Sequence, residues 1–279
     1  MAPVWMLDKF MDGLMARIPL DAPTKRALII EYGGTSMLVL AATAHGDGIF
    51  GATLASFIVA AALYVLIYVG APISGAHYNP AVTLACRLGR CGPENLRHDW
   101  YYVGVQILAA ILTAPFSTLL SGHENKLPMM RPTAMKWLQI LIGECLCTFL
   151  FTGAVVYACH CVEERAMKPL IMVLPIFVII ESFKEHTGAL INPALTVGLE
   201  FSSFMFYGHG RRRDYTWLIY CFAQLCGGAL AGHTADKLLG HSLLFQPPGA
   251  PAPTIGRVSD EEDDDSREQR KQIQPAELV

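Results

Sequence analysis

Charge is scarce in this chain. Of its 279 residues 16% are charged, against about 25% in soluble domains. The deficit is uneven: charges crowd into the first 26 residues, a few loops and the tail, with long apolar runs between them. The formal net charge is only −3, and no basic face points to nucleic acid as a partner. Eight cysteines are present, none in the paired Cys-x2-Cys spacing of a structural zinc site, so neither metal nor cofactor is expected. A nucleophile–base pair, a phosphate-binding glycine loop and a metalloenzyme motif are also missing, which argues against an enzyme. Residues 1–26 carry Asp8, Lys9, Asp12, Arg17, Asp21, Lys25 and Arg26 and do not read as a cleavable signal peptide. The first membrane segment is then expected to act as its own insertion signal.

What the chain has instead is hydrophobic length. A membrane helix needs roughly 20 mostly apolar residues to cross about 30 Å of hydrocarbon. Six stretches qualify, at about 27–45, 51–71, 101–121, 138–158, 168–187 and 215–236. Two further apolar pieces, near 79–88 and 192–203, are too short to span.

Each short piece opens a repeated motif. Ser74-Gly75-Ala76-His77-Tyr78-Asn79-Pro80-Ala81-Val82-Thr83 returns as Thr187-Gly188-Ala189-Leu190-Ile191-Asn192-Pro193-Ala194-Leu195-Thr196, with the asparagines 113 positions apart. Glu31-x3-Thr35 returns at the same offset as Glu144-x3-Thr148. Two motifs sharing one offset indicate an internal duplication, with repeats at about 27–121 and 138–236.

Pro80 and Pro193 suit a first helical turn, where a missing N–H costs nothing, and Asn79 and Asn192 suit the N-cap before them. Each Asn-Pro-Ala therefore reads as the start of a half-length helix. Irregular backbone at membrane depth is tolerated only inside protein or along a water-filled cavity. Glu31 and Glu144, costly inside a membrane segment, are expected to accept hydrogen bonds from the loop before each half helix. Three spans and one half helix per repeat place the halves in opposite orientations, and interrupted segments at matching positions point to a transport site near the midplane. The predicted fold is all-α: six transmembrane helices plus two re-entrant half helices in an inverted repeat.

With both termini in the cytosol, 14 Lys and Arg lie on that side and 7 opposite, the direction of the positive-inside rule. Arg211, Arg212 and Arg213 depart from it, either to bind an anionic partner or as a tolerated short loop. Residues 1–26 form a cytosolic segment and 237–279 a cytosolic tail, expected to be disordered from about 247, where a Pro-rich linker leads into the acidic run Asp260–Asp265. Ser259 and Ser266 flank those acids as candidate phosphorylation sites in an otherwise solvated tail.

The two Asn-Pro-Ala boxes, the paired Glu-x3-Thr motifs and Gln106 in the third span resemble the aquaporins, the major intrinsic protein family, over about residues 27–236. The resemblance implies a passive channel for water and other small neutral solutes, a homotetramer in the lipid bilayer, and a central constriction where Asn79 and Asn192 donate to a passing water. It also implies a second constriction nearer the outer mouth, formed by Val59, Ile180, Ala189 and Leu195. Most relatives carry arginine at the last of these positions. Its loss leaves an apolar ring, and leans the expected location toward an intracellular rather than the plasma membrane. A cargo of glycerol, urea or hydrogen peroxide is the alternative, as is a weakly conducting structural or adhesion protein. Thr196, where glycerol-conducting relatives carry aspartate, argues against specialised glycerol transport. Ala189 stands where some relatives have a mercury-sensitive cysteine.

Three clusters stay open on sequence alone. Lys184 either replaces the missing charge at the outer mouth or pairs with Glu181 one turn away. His77 is either a pH-sensitive gate or a loop hydrogen-bonding residue. Cys159-His160-Cys161 either reacts with soft metals and thiol reagents or is ordinary loop.

Overall fold

The computed structural model describes residues 20–43, 52–91, 99–121, 134–207 and 215–240. The described residues form eight helices and no strand. They are α1 (Ala22–Thr43), α2 (Ala52–Ser74), the short α3 (Pro80–Leu88), α4 (Asp99–Ser121), α5 (Ala134–Cys161), α6 (Met167–Phe183), α7 (Pro193–Tyr207) and α8 (Thr216–Gly240). The chain has the expected all-α membrane fold, with α1–α4 and α5–α8 as its two repeats. Arg211–Arg213 and the tail with its serines lie outside the described residues.

Several boundaries differ from the hydropathy reading: α5 begins at Ala134 rather than near 138, α6 ends at Phe183 rather than near 187, and α8 runs to Gly240, into the segment expected to be tail from 237. Helix α1 starts at Ala22 rather than near 27, because Asp21 caps it: the Thr24 hydroxyl and the Lys25 N–H both bond to Asp21. Helix α7 runs to Tyr207, past 203. Of the long helices, three are by length and composition apolar enough to cross a membrane: Leu54–Ser74, Asp99–Ser121 and Lys136–Cys161. The others are diluted by polar residues or short. Helix α1 contains Lys25, Arg26 and Glu31. Helix α8 contains Gln224, His233, Asp236 and Lys237. Helix α6 has 17 residues, about 26 Å of helix.

The bundle inverts the usual distribution of polarity. Glu31, Gln106, Glu144 and Gln224 are fully buried, whereas Leu119, Phe222 and Val178 are 60–68% exposed. An apolar exterior suits hydrocarbon as solvent, where backbone polar groups must be satisfied internally.

Within each repeat the first helix packs on the second and the last: α1 on α2 and α4, α5 on α6 and α8. The half helices cross over. Helix α3 lies against α8, and α7 against α4. Glycine makes both approaches possible. A Cβ on Gly228 of α8 would stand 2.5 Å from the Ala81 carbonyl oxygen of α3, and one on Gly198 of α7 would stand 2.6 Å from that of Ala110 in α4.

Candidate functional site

The site is built from the two loops that precede α3 and α7. Both take the same unusual backbone path. Gly75, Ala76 and Tyr78 have φ of 88°, 56° and 52°, and Gly188, Ala189 and Ile191 repeat this at 89°, 48° and 45°. Left-handed backbone is unfavourable for side chains with a Cβ, most of all for β-branched Ile191, so something must hold the loops open.

The two buried glutamates hold them. Glu31 accepts from Ser74 Oγ at 2.8 Å, His77 N at 2.9 Å, Tyr78 N at 2.7 Å and Gln106 Nε2 at 2.8 Å. Glu144 accepts from Thr187 Oγ1 at 2.7 Å, Leu190 N at 3.2 Å, Ile191 N at 2.9 Å and Gln224 Nε2 at 2.9 Å. Ser74 and Thr187 also accept from the N–H groups of Ala76 and Ala189. N–H and C=O of one planar peptide point opposite ways. Turning the N–H groups of Ala189, Leu190 and Ile191 toward Thr187 and Glu144 therefore directs the carbonyls of Gly188, Ala189 and Leu190 the other way. Those three residues line a cavity of about 370 Å³.

Gln224 escaped the sequence reading, as did Tyr102 and Tyr220, whose hydroxyls donate to the carbonyls of Ser74 and Thr187. Their signal is a second offset. Tyr102-x3-Gln106 returns as Tyr220-x3-Gln224 at 118 positions rather than 113. Five additional residues ahead of α8 move the last helix out of register with the motifs.

Asn79 and Asn192 cap their half helices and join them. The Asn79 side-chain oxygen accepts from Ala81 N at 2.8 Å, and that of Asn192 from Ala194 N at 2.9 Å. The Asn79 amide nitrogen donates to Ile191 O at 2.8 Å, and the Asn192 nitrogen to Tyr78 O at 3.1 Å. Each amide group has two hydrogens, so each keeps one beyond this exchange, and both residues line the cavity. Two helix N-termini, each equivalent to roughly half a positive charge, thus meet at one point of it.

The same cavity is lined by Val59, Ile180, Ala189 and Leu195, with Phe151 and Ile176. Lys184 and Ser56 line it too. The Lys184 ammonium reaches both Glu181 oxygens at 2.9 and 3.0 Å, and the Ser56 hydroxyl donates to Glu181. The ion pair and the cavity wall are therefore one feature. His77 lines the cavity with its Nδ1 3.2 Å from Thr83 Oγ1 and its ring edge-on to Tyr102.

Cys159, His160 and Cys161 do not act together. The His160 ring bonds to Gly89 O at 2.8 Å, while Cys159 packs, like Cys91, against the buried cluster that holds Cys86. Among the described residues no group of three His, Cys, Asp or Glu is arranged to hold a metal ion.

Comparison with known proteins agrees with this architecture. A family model described as "Major intrinsic protein" matches residues 21–234. The chain is 28% identical to aquaporin TIP4-4 of Zea mays over 243 residues, 80% of this chain and 92% of that one. It is 27% identical to aquaporin A of Dictyostelium discoideum, over 87% of this chain and 90% of that one. The X-ray structure of the aquaglyceroporin from Plasmodium falciparum superposes with a TM-score of 0.66 at 22% identity, over 77% of this chain and 97% of that one.

Proposed function

The chain belongs to the major intrinsic protein family, and on that premise we propose that it is a passive transmembrane channel for water. One observation carries the proposal: Asn79 and Asn192 bring two half-helix N-termini together on the wall of a single cavity, each with an amide hydrogen to spare. A water there accepts from the asparagines through its oxygen and cannot pass a proton along a continuous wire. The paired N-terminal dipoles repel cations at the same point. Successive waters find acceptors in the carbonyls of Gly188, Ala189 and Leu190, in a cavity that Phe151, Ile176 and Ile180 also line.

The outer constriction is Val59, Ile180, Ala189 and Leu195, with no long side chain from α7. Its fixed charge comes from another element: Lys184, held by Glu181 at the end of α6. A cation on this wall adds a barrier to cations ahead of the asparagines. The apolar ring supports a second reading, a channel for larger neutral solutes such as glycerol, urea or hydrogen peroxide. By family analogy the protein is a homotetramer with a pore in each protomer. The excess of Lys and Arg on one side supports cytosolic termini, and the missing pore arginine favours an organelle membrane over the plasma membrane.

Stopped-flow light scattering on proteoliposomes tests this. Osmotic water and glycerol gradients are compared across empty liposomes, the wild type and Leu195→Arg. Fast water flux with little glycerol flux supports the water channel. Glycerol flux abolished by Leu195→Arg supports the second reading. If neither solute moves faster than through empty liposomes, both are rejected.

A further inference from the structure

Three cysteines from the two repeats meet at one end of the bundle. Cys86 is buried in the last turn of α3, Cys91 follows that helix, and Cys159 sits in the last turn of α5. The Cys91 N–H donates to Cys86 O at 3.1 Å, and the Cys91 sulfur lies 3.6 Å from the same oxygen. Cys91 and Cys159 both pack against the buried cluster that holds Cys86, and the Cys159 side chain faces the other two thiols. The segments are fixed against each other by the His160–Gly89 bond and by Val156, whose methyl packs where a Cβ of Gly89 would be. All three cysteines are free thiols.

The fold does not demand sulfur there. At the repeat offset of 113, Cys86 and Cys91 correspond to Leu199 and Phe204. Leu199 packs in a hydrocarbon cluster with Val39, Ala110, Ala114 and Leu195. The counterpart of Cys86 is thus ordinary apolar packing, and Phe204, the counterpart of Cys91, is exposed; the thiols at the end of α3 are additional chemistry. Neighbouring free thiols are the reactants of thiol–disulfide exchange.

We propose that Cys91 and Cys159 form a reversible disulfide when the protein meets a peroxide. The product is the same whichever sulfur reacts first; one order starts from Cys159. Its thiolate attacks one peroxide oxygen, the O–O bond breaks, and the leaving hydroxide takes up a proton to become water. This gives a sulfenic acid at Cys159. The Cys91 thiolate then attacks that sulfur, the S–O bond breaks, and the second oxygen leaves as water. Two thiols lose two electrons and two protons, and the peroxide is reduced to two waters. Cys91 rather than Cys86 closes the bond. It lies in coil beyond the helix, where the backbone adjusts to the narrow geometry of a disulfide; Cys86 is held inside α3. The bond joins the first repeat to the second and closes a loop of 68 residues, which restricts the unfolded chain.

The test uses the full chain in detergent. The protein is treated with hydrogen peroxide, alkylated with iodoacetamide, digested without reductant and mapped by mass spectrometry. The expected result is a Cys91–Cys159 linked peptide that dithiothreitol removes, with a melting temperature several degrees higher in the oxidised form. Cys86→Ser keeps the link, and Cys159→Ser loses it. The inference is overturned if Cys91 and Cys159 both remain alkylated while other cysteines oxidise, or if the only links found are between molecules. Solute flux does not enter this measurement, so its outcome is independent of the channel proposal.

Discussion

Asn79 and Asn192 each donate to the backbone of the other's loop, at Ile191 O and Tyr78 O. This part of the cavity wall is therefore shared between the repeats: each asparagine caps its helix and ties the opposite loop, and in the proposed channel it has a third task, to offer a hydrogen to what passes.

Asn192→Asp separates these tasks. The carboxylate keeps the N-cap acceptor but has no hydrogen for Tyr78 O or for water, and its negative charge offsets the helix dipole. Water flux should fall about fivefold, the equivalent of roughly 1 kcal/mol, while cation leak rises. Stopped-flow scattering and a potassium-sensitive dye read the two effects. Unchanged flux and leak would remove Asn192 from the pore.

Glu144→Gln replaces an acceptor of four hydrogen bonds by a group that turns an amide toward donors. Leaving buried donors unpaired costs about 1–3 kcal/mol each. The melting temperature in detergent should drop by roughly 5 °C or more, and Glu31→Gln should match it because its partners are equivalent. A wild-type melting temperature for both would mean the glutamates do not hold the loops.

Gly228→Ala places a methyl 2.5 Å from the Ala81 carbonyl oxygen. Backbone must move, at about 1–3 kcal/mol. The variant should melt lower and elute less evenly from a sizing column. Gly104→Ala, where nothing lies within 4 Å, is the control and should behave as wild type.

Lys184→Met leaves Glu181 without its cation on the cavity wall. Cation leak should rise and water flux change little; Lys184→Arg should restore the barrier. Proteoliposomes loaded with an ion-sensitive dye measure this. Equal leak in wild type, Lys184→Met and Lys184→Arg would place the outer barrier elsewhere.

The fold was legible because lipid imposes length and duplication imposes offset. The half helices announced themselves through Asn79-Pro80 and Asn192-Pro193, which sit at the N-cap and first turn of α3 and α7. Gln224 was hidden by the five residues that break the offset. The meeting of Cys86, Cys91 and Cys159 was hidden for a different reason. It depends on how α5 lies against α3, and no spacing along one chain records a contact between two helices. Lys184 lay between these cases: its pairing with Glu181 followed from helical spacing, but its place on the cavity wall needed the packing of α6 against α2.

The exchange of hydrogen bonds between the two loops also has a consequence for biosynthesis. A ribosome delivers α1–α4 first, and at that stage Asn79 has no Ile191 to donate to and Tyr78 O has no Asn192 to accept from. The first repeat can enter the membrane as helices, but its half helix has no opposing half against which to finish a passage. The junction between the two half helices therefore forms only once the chain has passed Asn192, late in synthesis.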